Sequence, residues 1–133
     1  MSRRRHHSHH ARREDGQAAV EFALILPVLM LILVGILQFG VVFRDYLALT
    51  DAVRAGARKG AVARHLASPG SYTQGEVKKA AADLGPGLTV TVTSSWKPGD
   101  DLTVQATYPY KINVLGVVVK SGNLTSKTTE RVE

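Results

Sequence analysis

Glu21 is the only formally charged side chain from Gly16 to Phe43, and it stands directly before the uncharged run Phe22–Phe43, FALILPVLMLILVGILQFGVVF. A carboxylate at the head of an apolar span is costly to take out of water unless it finds a partner. Otherwise it stays in the headgroup region as a first-turn acid favoured by the helix dipole. The residue types leave both readings open. Other candidate chemistry is sparse. His6-His7 and His9-His10 could chelate a metal in principle, but neighbouring Arg side chains and the lack of apolar residues to enclose them argue against a specific site. There is no cysteine, which excludes disulfides, thiolate ligands and cysteine nucleophiles. The chain contains no Gly-x-Ser-x-Gly, no phosphate-binding glycine loop and no His-Glu-x-x-His, and His65 is the one histidine beyond the leader. No catalytic residue, metal or cofactor is expected, and the chain does not read as an enzyme.

The element that must position Glu21 is the apolar run itself. Its 22 residues make an α-helix about 33 Å long, against roughly 30 Å of bilayer hydrocarbon. Sixteen of them are Leu, Ile, Val or Phe, worth together at most about −5 to −10 kcal/mol on the insertion scale, which one acid at about 3 kcal/mol does not reverse. A chain of 133 residues also has too little other apolar material to surround such a helix on every side. The run is therefore expected to cross a lipid bilayer once, over 17–43. A secretory signal peptide has a shorter apolar core, of about 7 to 15 residues, and the small-x-small sites here lie among charges well beyond Phe43.

The net charge of +6 divides evenly: residues 1–16 hold five Arg against Glu14 and Asp15, and the remainder holds twelve basic against nine acidic residues. Residues 1–16 read as a basic leader, and positive charge beside a first hydrophobic segment is retained in the cytoplasm. Residues after Phe43 are then expected on the outside. Their basic side chains are scattered and mixed with acids rather than clustered with aromatics, so nucleic acid is not an expected partner.

Arg44–Leu66 lacks proline and keeps a helical pattern, which predicts an amphipathic extension of the same helix over 44–66. Ala48, Ala52, Gly56 and Gly60 recur every four residues and form a small-residue stripe that admits another backbone. The partner is either the protein's own sheet or a neighbouring subunit. Glycine costs about 1 kcal/mol in a helix without such a reason.

Two stretches together carry a family resemblance. Gly16-Gln17-Ala18-Ala19-Val20-Glu21-Phe22 resembles the processing site of type IV pilin-like proteins, in which a prepilin peptidase cuts after glycine and the fifth mature residue is glutamate. Joined to Pro27 in the span and to Arg54-Ala55-Gly56-Ala57-Arg58 beyond it, the pattern looks like the TadE-like family of the tight-adherence, or Flp, pilus system. The resemblance covers roughly Gly16–Val62. Val53 stands where the family more often has Ala, a minor departure. The resemblance implies a minor pilin, or pseudopilin, processed between Gly16 and Gln17. The freed α-amine of Gln17 would then pair with Glu21 of a neighbour in assembly with other pilin-like subunits. The competing reading is a permanently anchored single-pass protein whose head binds an envelope partner without processing.

For the head, over 67–133, Ser68-Pro69-Gly70-Ser71 is a breaker, and Thr73 with Glu76 has capping-box spacing before an apolar face of Val77, Ala80, Ala81 and Leu84. Gly85-Pro86-Gly87 stops that helix. Leu88, Val90 and Val92, continuing to Trp96, and then Leu102, Val104, Ala106, Tyr108 and Tyr110 alternate with polar residues and predict a hairpin. Pro109 predicts an edge at the end of its second strand. Trp96 and the two tyrosines read as inward-facing core rather than as a binding patch. Residues 112–119 leave a short helix and a packed loop both open. The threonine-rich Asn123–Val132 suits a third strand. The expected fold class is α+β: a transmembrane helix continuing into a stalk, with a small head of one short helix and about three antiparallel strands.

Overall fold

The computed structural model describes residues 11–133, with side chains from Gly16 onward. The four leader histidines lie outside the described residues. The chain forms two compact units, one ending at Leu37 and one spanning Gln38–Glu133.

The first unit is helical. Helix α1, Ala11–Ala61, contributes to both units and carries Pro27 inside it. Among the described residues, nothing buries the apolar span. A helix that is apolar all round and covered by nothing of its own is stable only where its surroundings are apolar too. One helix among the described residues is therefore long and apolar enough to cross a membrane.

The second unit is α+β. Its first element is the later part of α1, where Leu49, Ala52, Val53, Gly56, Ala57 and Gly60 are buried. Their three- and four-residue spacing makes one continuous face. Helix α2, Pro69–Ala80, follows, then a single turn of tighter 3₁₀ helix at Ala82–Leu84. Strands β1 (Thr89–Thr93), β2 (Asp101–Val114) and β3 (Val117–Arg131) form one antiparallel sheet in the order β1-β2-β3.

One sheet face covers the helices. Leu102, Val104 and Ala106 of β2 are fully buried, with Val90 and Val92 of β1 and Leu124 of β3 packed beside them. The opposite face is rich in threonine, with hydroxyls of Thr103 and Thr129 3.2 Å apart and those of Thr107 and Thr125 3.4 Å apart across the ladder. Strict period-two alternation makes this division.

Several boundaries differ from the sequence expectation, each for a tertiary reason. Helix α1 ends at Ala61 rather than near Leu66. The Ala63 N–H donates to the Gly60 carbonyl at 2.9 Å, and the Glu133 N–H at the far end of the chain donates to the Ala61 carbonyl at 3.0 Å. Terminal carbonyls that would need a further helical turn are satisfied instead by a turn and by the C-terminus. Helix α2 begins at Pro69, not after Thr73. Proline supplies a pre-set φ at the first helical position, so the supposed breaker is the helix start. Thr73 is no cap. It is buried, and its Oγ1 donates to the Pro69 carbonyl at 2.8 Å. Ala80 is exposed, and Thr73 takes its place on the inward face.

Strand β1 stops at Thr93, and Trp96 lies beyond it with φ 58°, partly buried against the core. Strand β2 is the central strand of the three. Its pairing with β1 ends at Thr107, so Pro109 faces β3 on one side and, among the described residues, no strand on the other, which is the edge expected at the end of this strand. Residues 112–119 are neither helix nor loop but the end of a long β2–β3 hairpin. Leu115 and Gly116 form its two-residue turn with φ of 51° and 86°, the positive pair that a primed turn requires. The register shifts at Ile112/Asn113, where Val119 is the extra residue.

Candidate functional site

The sequence motif at the start of the span occupies consecutive turns of α1. Gln17 and Glu21 are four residues apart on one helix face, and the Gln17 side-chain amide donates to Glu21 Oε1 at 3.1 Å. The carboxylate thus has a partner within its own chain. Phe22 and Val20 are exposed beside it. A Cβ added at Gly16 would meet nothing within 4 Å, and Gly16 has no positive φ. Neither space nor backbone conformation among the described residues asks for glycine there. The Gly16–Gln17 peptide lies within α1.

The small-residue stripe has a different setting. A Cβ on Gly56 would fall 2.2 Å from Val77 Cγ2 and 3.1 Å from the Val77 backbone nitrogen. On Gly60 it would fall 2.5 Å from Thr73 Oγ1 and 2.9 Å from Leu102 Cδ2. Ala52 is buried and Ala48 is partly buried against the same core. Helix α2 and strand β2 therefore occupy the space that the two glycines leave. In Arg54-Ala55-Gly56-Ala57-Arg58, only Gly56 and Ala57 face inward, and both arginines are exposed.

One ion pair crosses this packing: Lys59 Nζ donates to Glu76 Oε2. Seventeen residues separate the partners, so no local spacing announces it. The hydrogen bond and charge of Lys59 hold the Glu76 carboxyl below its ordinary range, and the hydrogen bond and charge of Glu76 raise the Lys59 ammonium. Glu76, depressed in the folded state, adds stability present above its unfolded pKa and lost as pH falls through the folded one. Lys59, raised, adds stability present below its unfolded pKa and lost as pH rises through the folded value. Over half of the Lys59 side chain is exposed, so water and salt screen the pair. Glu76→Gln is expected to flatten the acid limb of the melting-temperature profile at low salt and to change little at high salt. Thermal melts across the acid range check this.

Among the described residues, no three His, Asp or Glu side chains gather where they could hold a metal ion. What the chemistry offers is a glycine with no packing role among the described residues, five residues ahead of a carboxylate, at the head of an apolar helix that they leave uncovered.

Over residues 16–58 the chain matches the TadE-like protein family. The match begins at the unexplained glycine and ends at Arg58, within the buried stripe. It covers about a third of the chain, 43 of 133 residues, and leaves α2 and the sheet outside. No curated protein and no solved structure matches the chain.

Proposed function

We propose that this protein is a TadE-like minor pilin, or pseudopilin: a membrane-anchored structural subunit that takes part in assembling a tight-adherence, type IV-like pilus and so in adhesion. The observation that carries the reading is Gly16, which the packing of the described residues does not require, placed five residues before Glu21 at the mouth of the span. In this reading a prepilin peptidase cuts after Gly16 and frees the α-amine of Gln17. The arginines of residues 1–16 hold the N-terminus in the cytoplasm, and the α+β unit lies outside, in a pilus or at its base. A cationic amine and a carboxylate in a medium of low dielectric attract strongly, so Glu21 becomes a contact between subunits as well as a burial cost.

A second reading is a permanent single-pass anchor whose sheet unit binds an envelope partner. The hydrogen bond from Gln17 to Glu21 favours it, because the carboxylate is already satisfied within one chain.

Mass spectrometry of the membrane-extracted protein separates the two. In cells that hold the peptidase, the chain is expected to begin at Gln17, and Gly16→Leu is expected to keep residues 1–16 attached with the melting temperature of the α+β unit unchanged. An intact N-terminus in wild-type protein from such cells would count against processing.

A further inference from the structure

The β2–β3 hairpin carries an apolar end that the core does not use. Leu115 is 81% exposed, and Val117, Val118 and Val119 are all more than half exposed. Two-residue turns of this kind are normally Asn-Gly or Asp-Gly, because both central residues take positive φ. Here a leucine sits at that strained position, at the outermost point of the hairpin. From Leu102 to Thr129 there is no acidic residue, and Lys111 and Lys120 flank the apolar end.

Its direction follows from contacts inside the α+β unit. Gly60 of α1 meets Thr73 and Leu102, Gly56 meets Val77, and Gly85, just past the α2 turn, faces the Tyr108 hydroxyl. Helix α2 thus runs back along α1, and β2 starts beside the C-terminal end of α1. The core on α1 extends from Gly60 to Ala48, about 18 Å, and on β2 from Leu102 to Tyr108, about 20 Å, so the two run side by side in opposite directions. Beyond Tyr108 the strand continues to Val114 for roughly another 20 Å, whereas Phe43, where the uncharged run ends, lies only about 8 Å beyond Ala48. The hairpin end therefore reaches the level of Phe43 and Arg44.

We propose that Leu115, Val117, Val118 and Val119 insert into the interface of the bilayer that α1 crosses, as a second membrane contact, with Lys111 and Lys120 at anionic headgroups. This rests on the reading of α1 as a membrane span. Apolar tips flanked by lysine suit the interface of a bilayer containing anionic lipid, with the apolar side chains at the hydrocarbon boundary and the lysine stems reaching back to the headgroups. Two attachments hold the sheet unit against the membrane surface, where a single helix would leave it free to turn.

The chain lacks cysteine, so single cysteines can be introduced into the full protein and spin-labelled after reconstitution into phosphatidylethanolamine–phosphatidylglycerol vesicles at high lipid excess. Phe39→Cys reports on the span, Thr91→Cys on the threonine face and Val118→Cys on the hairpin; all three native side chains are exposed. The expected result is that labels at 39 and 118 collide mainly with dissolved oxygen, and the label at 91 mainly with a water-soluble nickel complex. If 118 behaves like 91 while 39 stays in lipid, the hairpin contact is wrong and the span stands. If 118 is shielded from both reagents while 39 stays in lipid, the hairpin is covered by protein, and the proposal is equally overturned. If 39 itself faces water, the span reading fails and takes the proposal with it.

Discussion

Gly56→Val lowers the melting temperature of the α+β unit by roughly 5 to 20 °C, taking about 1 to 3 kcal/mol for overpacking and about 4 to 8 °C per kcal/mol for a unit of this size. The added Cβ alone would lie 2.2 Å from Val77 Cγ2, and the Val77 backbone nitrogen and Cα lie only 3.1 and 3.2 Å away. Turning the Val77 side chain does not relieve this. A β-branched residue in a helix has one strongly preferred rotamer, and the backbone behind it remains in the way. Helix α2 must move off α1, opening the core where Val77 and Leu102 are fully buried. Gly40→Ala is the control: nothing lies within 4 Å of its Cβ position, and alanine removes about 1 kcal/mol of helix penalty. Thermal melts of the full chain in detergent, followed by near-ultraviolet circular dichroism, read both variants. A wild-type melt for Gly56→Val would remove the packing described for this face. A shift that fades on dilution would instead move the contact to a neighbouring subunit, because association depends on concentration and packing within one chain does not.

The second large effect is on assembly rather than stability. Glu21→Ala is expected to stay in the membrane, since it removes the one charge that opposes insertion, worth at most about 3 kcal/mol. Its incorporation into pilus complexes is expected to fall by about 100-fold or more. Removing one partner of a buried ion pair costs about 3 to 5 kcal/mol, and each 1.4 kcal/mol is a factor of ten. Co-purification of tagged variant with wild-type assembly subunits from processing-competent cells measures the loss. Glu21→Asp keeps the charge and is expected to recover part of it. Wild-type incorporation of Glu21→Ala would favour the permanent anchor, in which the Gln17 side chain already satisfies the carboxylate.

The two glycine classes show how far composition and spacing reach. Gly16, Gly56 and Gly60 all drew attention in the sequence, and all three lie in helix α1. Only their surroundings separate them: open space at Gly16, Val77 at Gly56, Thr73 and Leu102 at Gly60. A four-residue repeat of small residues states that a backbone can come close. It does not state whose, because the approaching residues lie from 13 to 42 positions further along the chain.

Length, hydropathy and local chemistry were enough for a helix long and apolar enough to cross a membrane, a TadE-like opening from Gly16, an α+β class and the alternating strands of the sheet, since each depends on residues within a few positions of one another. Tertiary structure decided the rest. Helix α1 stops at Ala61 because Glu133 supplies a donor to its last carbonyl, and Thr73 becomes a core residue because Gly60 makes room for it. Residues 112–119 become paired strand because fourteen residues of β2 and fifteen of β3 zip together around a turn that leucine does not advertise. In each case the deciding group is distant in sequence, or its conformation is strained locally and repaid by pairing, and periodicity carries neither kind of information.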